Sequence, residues 1–286
     1  MSDPAALVAA FEARARRIDT PCGEGTMAWR IWGDGRPLVL GHGSQGSWSH
    51  WIRNIDALVD AGWQVIAADL PGFGASAMPA SEDHDGISAA LASGLEQILG
   101  PGNSANLVGF SFGGCAFANF AARHPHLARR VIIIGSGGLD TPHGAVDLGS
   151  IRGLEGEARV ERLRANLCGL MLHHRASADD LAVHLLLANA RLSRLSPAGL
   201  VLPDHILRVL PGLKVPIDAI WGEHDRPHPY PHLQEEVLRR FQPECDFRVI
   251  ADAGHWAMYE RPQAFNATLI AMLAAGPPPR RLPFSD

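Results

Sequence analysis

The sequence predicts an α/β fold, with a mostly parallel central sheet and helices on both faces. Three observations carry that reading. Short apolar runs alternate with stretches of helical periodicity through the first half of the chain, and strands separated by helices return in parallel. The segment Gly109-Phe110-Ser111-Phe112-Gly113 follows an apolar run that begins at Ala105, and it leads into Gly114-Cys115-Ala116-Phe117. That succession is a strand, a sharp turn carrying a serine, and a helix. Beyond residue 139 the alternation stops, and it resumes near residue 212. With 286 residues, 47% of them hydrophobic, the chain is long enough for one large core.

The elements follow in order. Residues 4–16 are amphipathic and predict a leading helix. Residues 17–22 and 26–32 predict a hairpin turning at Gly23 and Gly25. Pro37-Leu38-Val39-Leu40 reads as a strand running into the glycine-rich turn Gly41-His42-Gly43-Ser44-Gln45-Gly46. Helices at 49–61, 84–99 and 112–123 then alternate with strands at 64–68, 105–110 and 130–134. Between residues 140 and 211 the pattern is helical, over 157–172, 178–192 and 204–210, with Leu163, Leu167, Leu170, Met171, Leu185, Leu186 and Leu187 at helical spacing. An insertion between core strands folds over the pocket as a cap. Strands at 215–222 and 247–250 complete the sheet. The expected organisation is therefore a core at 1–139 and 212–275, a helical cap at 140–211, and an extended proline-rich tail at 276–286.

The serine turn has the layout of a nucleophile elbow, in which strain lifts the hydroxyl clear of the sheet and flanking glycines let neighbouring backbones pass. A serine needs a base to take its proton and an acid to orient that base. Asp225 lies just beyond the strand at 215–222, and His255 opens the loop after 247–250. The chain order Ser111, Asp225, His255 is the one expected of a triad on a doubly wound sheet. Glu223 and Asp140 compete for the role of the acid, and Asp225 is preferred because it stands farther out on its loop. Ser136, in Gly135-Ser136-Gly137-Gly138, lacks a strand-turn-helix setting and reads as a turn residue. The negative oxygen formed on attack needs donors, and the backbone N–H groups of Ser44 and Phe112 are assigned to it. The alternative is that the stretch 41–46 is merely a glycine-rich connection, with His42 serving only to hold it in shape. Trp256 is expected to form a pocket wall, with a core aromatic as the equal alternative. Asn189 and Arg191 are polar groups beside the apolar cap residues, and Arg191 could bind a substrate carboxylate bidentately.

Composition narrows the partners. With Lys+Arg 25 against Asp+Glu 30, the net charge of -5 gives no basic field for nucleic acid. No apolar stretch reaches membrane-spanning length, and Met1-Ser2-Asp3-Pro4 lacks a signal-peptide pattern, so a cytoplasmic location is expected. Cys22, Cys115, Cys168 and Cys245 are far apart and suit free thiols. His224, His228 and His232 recur every fourth residue, but Pro227, Pro229 and Pro231 exclude the helix that would align them as metal ligands. Lys214, the single lysine, stands just before a buried strand and argues against Schiff-base chemistry. No cofactor, metal or nucleotide motif is expected, and the partner is a small-molecule substrate.

On these motifs the chain resembles the α/β-hydrolases from about residue 17 to residue 273. Within them it is similar to the meta-cleavage-product hydrolases, which split carbon–carbon bonds of ring-opened aromatics. That closer likeness rests on residues 48–54, on Asp69-Leu70-Pro71-Gly72-Phe73-Gly74-Ala75-Ser76, on Gly135-Ser136-Gly137-Gly138-Leu139 and on Gly254-His255-Trp256-Ala257-Met258-Tyr259-Glu260. The resemblance implies an α/β-hydrolase fold and a serine hydrolase. The turn Gly-His-Gly-Ser-Gln-Gly departs from the longer stretch with Gly-Pro-Gly usual in that subfamily. The expected substrate is accordingly a small carboxylic ester or lactone, with carbon–carbon hydrolysis as the alternative. The same fold also hosts cofactor-free oxygenases and non-catalytic receptors.

Overall fold

The computed structural model of the chain describes residues 3–276, so the tail expected beyond that point lies outside the described residues. Eight strands form one sheet: β1 (Arg16–Cys22), β2 (Gly25–Trp32), β3 (Arg36–Gly41), β4 (Trp63–Ala68), β5 (Ala105–Phe110), β6 (Ala128–Ile134), β7 (Ile217–Gly222) and β8 (Phe247–Ile250). Their order is β1-β2-β4-β3-β5-β6-β7-β8. The pairs β1–β2 and β2–β4 are antiparallel and all the others parallel. Every residue of β5 and β7 is buried, which is why these central strands read as mostly apolar runs without alternation, interrupted by Asn106 and by Asp218, whose carboxylate accepts from Arg130 Nε.

The helices are α1 (Pro4–Arg14), α2 (Ile55–Asp60), α3 (His84–Leu99), α4 (Phe112–Arg123), α5 (Gly156–Leu170), α6 (Asp180–Arg191), α7 (Ala198–Val201), α8 (Pro231–Phe241), α9 (Ala257–Glu260) and α10 (Pro262–Ala275). They cover the sheet on two sides, each with its own apolar cluster. Leu91 and Leu95 of α3, Phe117 and Phe120 of α4 and Leu238 of α8 fill one face. Phe11 of α1, Ile55 and Leu58 of α2, and Phe265 and Leu269 of α10 fill the other. No helix of the described residues is long and apolar enough to cross a membrane.

The decisive topological feature is at β3. The chain leaves β3 to one side, forming β4, and then crosses to the other side to form β5, so β3 and β5 are parallel neighbours with Gly41 opposite Gly109. In an open α/β sheet, ligands bind at the carboxyl ends of strands where the winding reverses. Here that reversal places the glycine-rich turn after β3 beside the serine turn after β5.

Two expected helices differ. The span 49–61 is a 3₁₀ turn at Trp48–Trp51 followed by α2. The buried Asn54 between them donates from its side chain to Met258 O at 2.9 Å and Asn266 Oδ1 at 2.7 Å. The span 204–210 is a run of turns ending in a 3₁₀ turn at Leu210–Gly212. The N–H groups of Ile206 and Leu207 donate to Gly138 O at 2.9 and 2.8 Å instead of to a helical ladder. Prolines 227 to 231 do exclude a helix joining the three histidines, because α8 starts with Pro231, where a missing N–H costs nothing.

The insertion between β6 and β7 carries α5, α6 and α7. Its apolar Leu163, Leu167 and Leu185 are buried in the same cluster as α1 and α10. Polar ties fasten α6 as well. Its N-cap Asp179 accepts from Arg53 Nη2 at 2.5 Å and from Tyr259 OH at 2.5 Å, and Asn189 Oδ1 accepts from Ser47 Oγ at 2.8 Å.

Candidate active site

Ser111 has φ 51° and ψ −116°, a backbone conformation that costs a non-glycine residue about 1–3 kcal/mol. The strain is held by its surroundings. Ser111 N–H donates to Ile134 O at 2.7 Å, and the flanking glycines allow three backbones to touch. A Cβ on Gly109 would lie 2.4 Å from the Gly113 carbonyl carbon, and one on Gly113 would lie 2.6 Å from His42 O. No larger residue fits either place. Ser111 immediately precedes α4, so its hydroxyl stands at the positive end of that helix. Ser136 packs over Gly114, where an added Cβ would collide with its Oγ. Its hydroxyl donates to Ile134 O at 3.4 Å.

Asp225 and His255 meet beneath the neighbouring strand ends. His255 Nδ1–H donates to Asp225 Oδ2 at 2.8 Å, and both side chains are buried. The bond fixes the tautomer, leaving Nε2 as the acceptor. The other carboxylate oxygen, Oδ1, accepts from His228 N–H at 2.9 Å. Gly135, at φ +51°, passes directly under this pair. The competing acids point elsewhere: Glu223 is exposed and accepts from Asp252 N–H at 2.8 Å, and Asp140 is exposed. His255 and Ser111 border one cavity of about 560 Å³. The Phe110 ring packs 4.9 Å from the His255 ring, centroid to centroid.

The turn after β3 reaches the same cavity through Ser44 and Gln45, and a Cβ on Gly43 would stand 3.2 Å from Ser111 Cβ. His42 braces that turn. Its Nε2 accepts from Leu70 N–H at 2.9 Å while Nδ1–H donates to Gly43 O at 2.7 Å. A ring with one donating and one accepting nitrogen is neutral, and burial lowers its pKa accordingly.

The profile of the alpha/beta hydrolase family matches residues 38–268. The chain belongs to this family. It is 30% identical to a 2-hydroxy-6-oxo-6-phenylhexa-2,4-dienoate hydrolase of Burkholderia cepacia over 85% of this chain and 90% of that protein. It is 28% identical to a 2-hydroxy-6-oxononadienedioate/2-hydroxy-6-oxononatrienedioate hydrolase of a Pseudomonas species over 83% and 87%. In fold it is similar to the naproxen esterase of Bacillus subtilis, with TM-score 0.76, 22% identity and 96% and 99% of the two chains covered. A meta-cleavage product hydrolase gives TM-score 0.70 at 21% identity over 91% and 98%.

Two residues expected at the pocket of this hydrolase stand outside it. Trp256 is a core residue: its ring stacks on Tyr259 at 4.1 Å between centroids, and its Nε1–H donates to His50 O at 3.1 Å. The side chain after His255 is thus turned away from the cavity. Arg191 is exposed at the end of α6 and is not among the residues bordering the cavity. Its neighbour Asn189 faces inward and joins α6 to Ser47. A grouping of His173, His174 and Asp252 has its ligand-type atoms close together. The Arg261 guanidinium bonds both Asp252 and His174 there, putting a fixed cation where a metal would sit. The residue that the sequence missed is His228, buried at the cavity beside His255. Its only signal was its position three residues after Asp225.

Proposed function

We propose that the hydrolase cleaves a small, uncharged carboxylic ester or lactone through an acyl-enzyme on Ser111. The observation that carries this reading is the cavity itself. It joins Ser111 to His255, and among its described lining residues there is no arginine or lysine. A buried substrate carboxylate would lose its hydration without gaining a cation, so a neutral ester fits this lining better than an anionic dienoate.

His255 Nε2 takes the Ser111 proton as Oγ bonds to the carbonyl carbon, and Asp225 stabilises the imidazolium. The N–H groups of Ser44 and Phe112 receive the oxyanion. Collapse breaks the bond to the leaving oxygen, which takes the proton from His255. Water then attacks the acyl carbon, giving a proton to His255, and the Ser111 oxygen leaves with that proton. The insertion acts as a cap, with Leu170, Met171 and Val201 forming apolar wall. Carbon–carbon hydrolysis is the second reading, favoured by the relatives that share 28–30% identity with this chain.

The test is a turnover screen of short aryl esters, lactones and ring-opened dienoic acids with wild type and Ser111→Ala. The reading requires ester or lactone turnover that falls of order a millionfold in the variant, together with fluorophosphonate labelling of wild type alone. Near-normal ester turnover by Ser111→Ala would refute it. Turnover confined to the dienoic acids would select the second reading.

A further inference from the structure

We infer that His228 sets specificity by donating a hydrogen bond to an oxygen on the leaving-group side of the substrate, so that the enzyme favours esters whose alcohol portion carries an ether or hydroxyl oxygen. The inference rests on the acyl-enzyme reading above and deepens it.

The same carboxylate positions both imidazoles. Asp225 holds the His255 ring through Oδ2 and the His228 backbone N–H through Oδ1. The His228 ring is thereby fixed at the cavity, 5.9 Å from the His255 ring between centroids. Side chains from other elements close around it: Trp221 from β7 at 6.4 Å, and His143 at 5.2 Å from the segment after β6. Gly137 completes the enclosure. A Cβ there would lie 2.9 Å from Val201 Cγ1 and 3.2 Å from both His228 Cε1 and Leu202 Cδ2. The ring is thus enclosed on these sides, and His228 is only 5% exposed.

The proton of this ring can be assigned from its surroundings. Nδ1 is buried without a hydrogen-bond partner, and orphaned N–H donors are rarer than under-used acceptors. The low-cost tautomer carries its proton on Nε2. Burial also pushes the ring's pKa down to about 4, so near neutral pH it is an uncharged donor.

His228 borders the cavity, so an oxygen on the substrate can accept from this donor, and an analogue lacking that oxygen leaves it unpaired on binding, which is how polar pockets discriminate. The side of the substrate follows from the chemistry. His255 must come within about 3 Å of the leaving oxygen to return its proton. The His228 ring, 5.9 Å from that of His255 between centroids, is accordingly assigned to atoms a bond or two farther along the leaving alcohol.

The probe is a matched pair of esters of one acid, 2-methoxyethyl butyrate and n-butyl butyrate, equal in length and differing by one oxygen. Wild type is expected to favour the methoxyethyl ester in kcat/KM by about tenfold beyond the ratio of their hydroxide-catalysed rates. His228→Leu should abolish that preference, and His228→Gln, whose amide nitrogen reaches the position of Nε2, should restore most of it. Fluorophosphonate labelling of Ser111 in each variant checks that the catalytic groups are intact. A preference that is unchanged in His228→Leu, with both esters slowed equally, would overturn the proposal and make the ring structural. Should the leucine variant fail to fold, wild type alone decides: no excess preference for the ether ester rejects the inference. Failure of the acyl-enzyme reading looks different, since wild type would then neither label nor turn over either ester.

Discussion

A single methyl group placed at Gly135 tests whether the contact between Asp225 and His255 limits the rate. The added Cβ would lie 2.8 Å from Asp225 Oδ2, 3.0 Å from His255 Nδ1 and 3.2 Å from His255 Cε1. The first two are the atoms of the 2.8 Å hydrogen bond, so relief of the overlap must move one partner by several tenths of an ångström. Misplacing a catalytic group on the order of 1 Å costs about a hundredfold. The backbone adds its own strain, because φ is +51° at this residue and the left-handed region costs an L-residue about 1–2 kcal/mol. Gly62→Ala separates the two effects. Gly62 has φ +84° with nothing within 4 Å of an added Cβ, so it reports strain alone. Urea unfolding and kcat/KM on an activated ester should show Gly62→Ala less stable by about 1–2 kcal/mol at full activity. Gly135→Ala should lose at least as much stability and be roughly tenfold to a hundredfold slower. Wild-type kcat/KM in Gly135→Ala, with stability lost to the same extent as in the control, would refute the reasoning.

Two further outcomes follow from buried groups around the site. His228 titrates near pH 4 when folded, against an ordinary value of about 6.5. The unfolded chain therefore binds more protons between these values, and stability is lost as pH falls through that window, by roughly 3 kcal/mol from this ring alone. Urea midpoints measured from pH 7 to pH 4 should decline less steeply in His228→Leu, and parallel curves would contradict the assignment. Glu260 is buried and its carboxylate accepts from Gly254 N–H at 2.7 Å, His173 N–H at 2.9 Å and His174 N–H at 2.7 Å. Glu260→Gln turns an amide donor toward backbone donors. It should cost on the order of 3 kcal/mol in unfolding experiments and lower kcat more than it raises KM. Unchanged stability would show that these contacts are weak.

The sheet was legible because its central strands are short and mostly apolar, and because glycine stands at or just past the ends of several of them. The serine turn was legible for a related reason: Gly109 and Gly113 stand where backbones touch, and no other residue type fits. Side-chain direction was harder to read. Arg191 follows Asn189 by two positions on α6, which places the two residues on nearly opposite faces of the helix. Asn189 takes the inward side and Arg191 is left in water, so helical spacing contained the answer. Trp256 shows the limit of adjacency in sequence. It follows His255 directly, yet a residue next in line along a loop is free to face the core, and here it finds Tyr259 and His50. The four-residue recurrence of His224, His228 and His232 carried no information about the place of His228, since the prolines between them exclude the helix that would give the spacing meaning. That place is set by the backbone bond to Asp225, which only coordinates reveal.

The ties around the insertion give these observations a common consequence. Asn189 fastens α6 to Ser47, three residues beyond Ser44 on the turn assigned to the oxyanion. Glu260 fastens the chain after α5 to Gly254, the residue before His255, and Trp256 N–H donates to Met171 O at 2.7 Å. The segment that walls the cavity is thus bonded on one side to the turn carrying Ser44 and on the other to the loop carrying His255. The bonds to the Glu260 carboxylate are charge-assisted and strong, and these and the neutral ties would have to break for the wall to swing independently. Pocket shape and catalytic geometry are therefore not separate properties of this molecule. A substitution that repacks the wall acts on the positions of Ser44 and His255 as well, and alters the rate of the chemical step together with substrate binding.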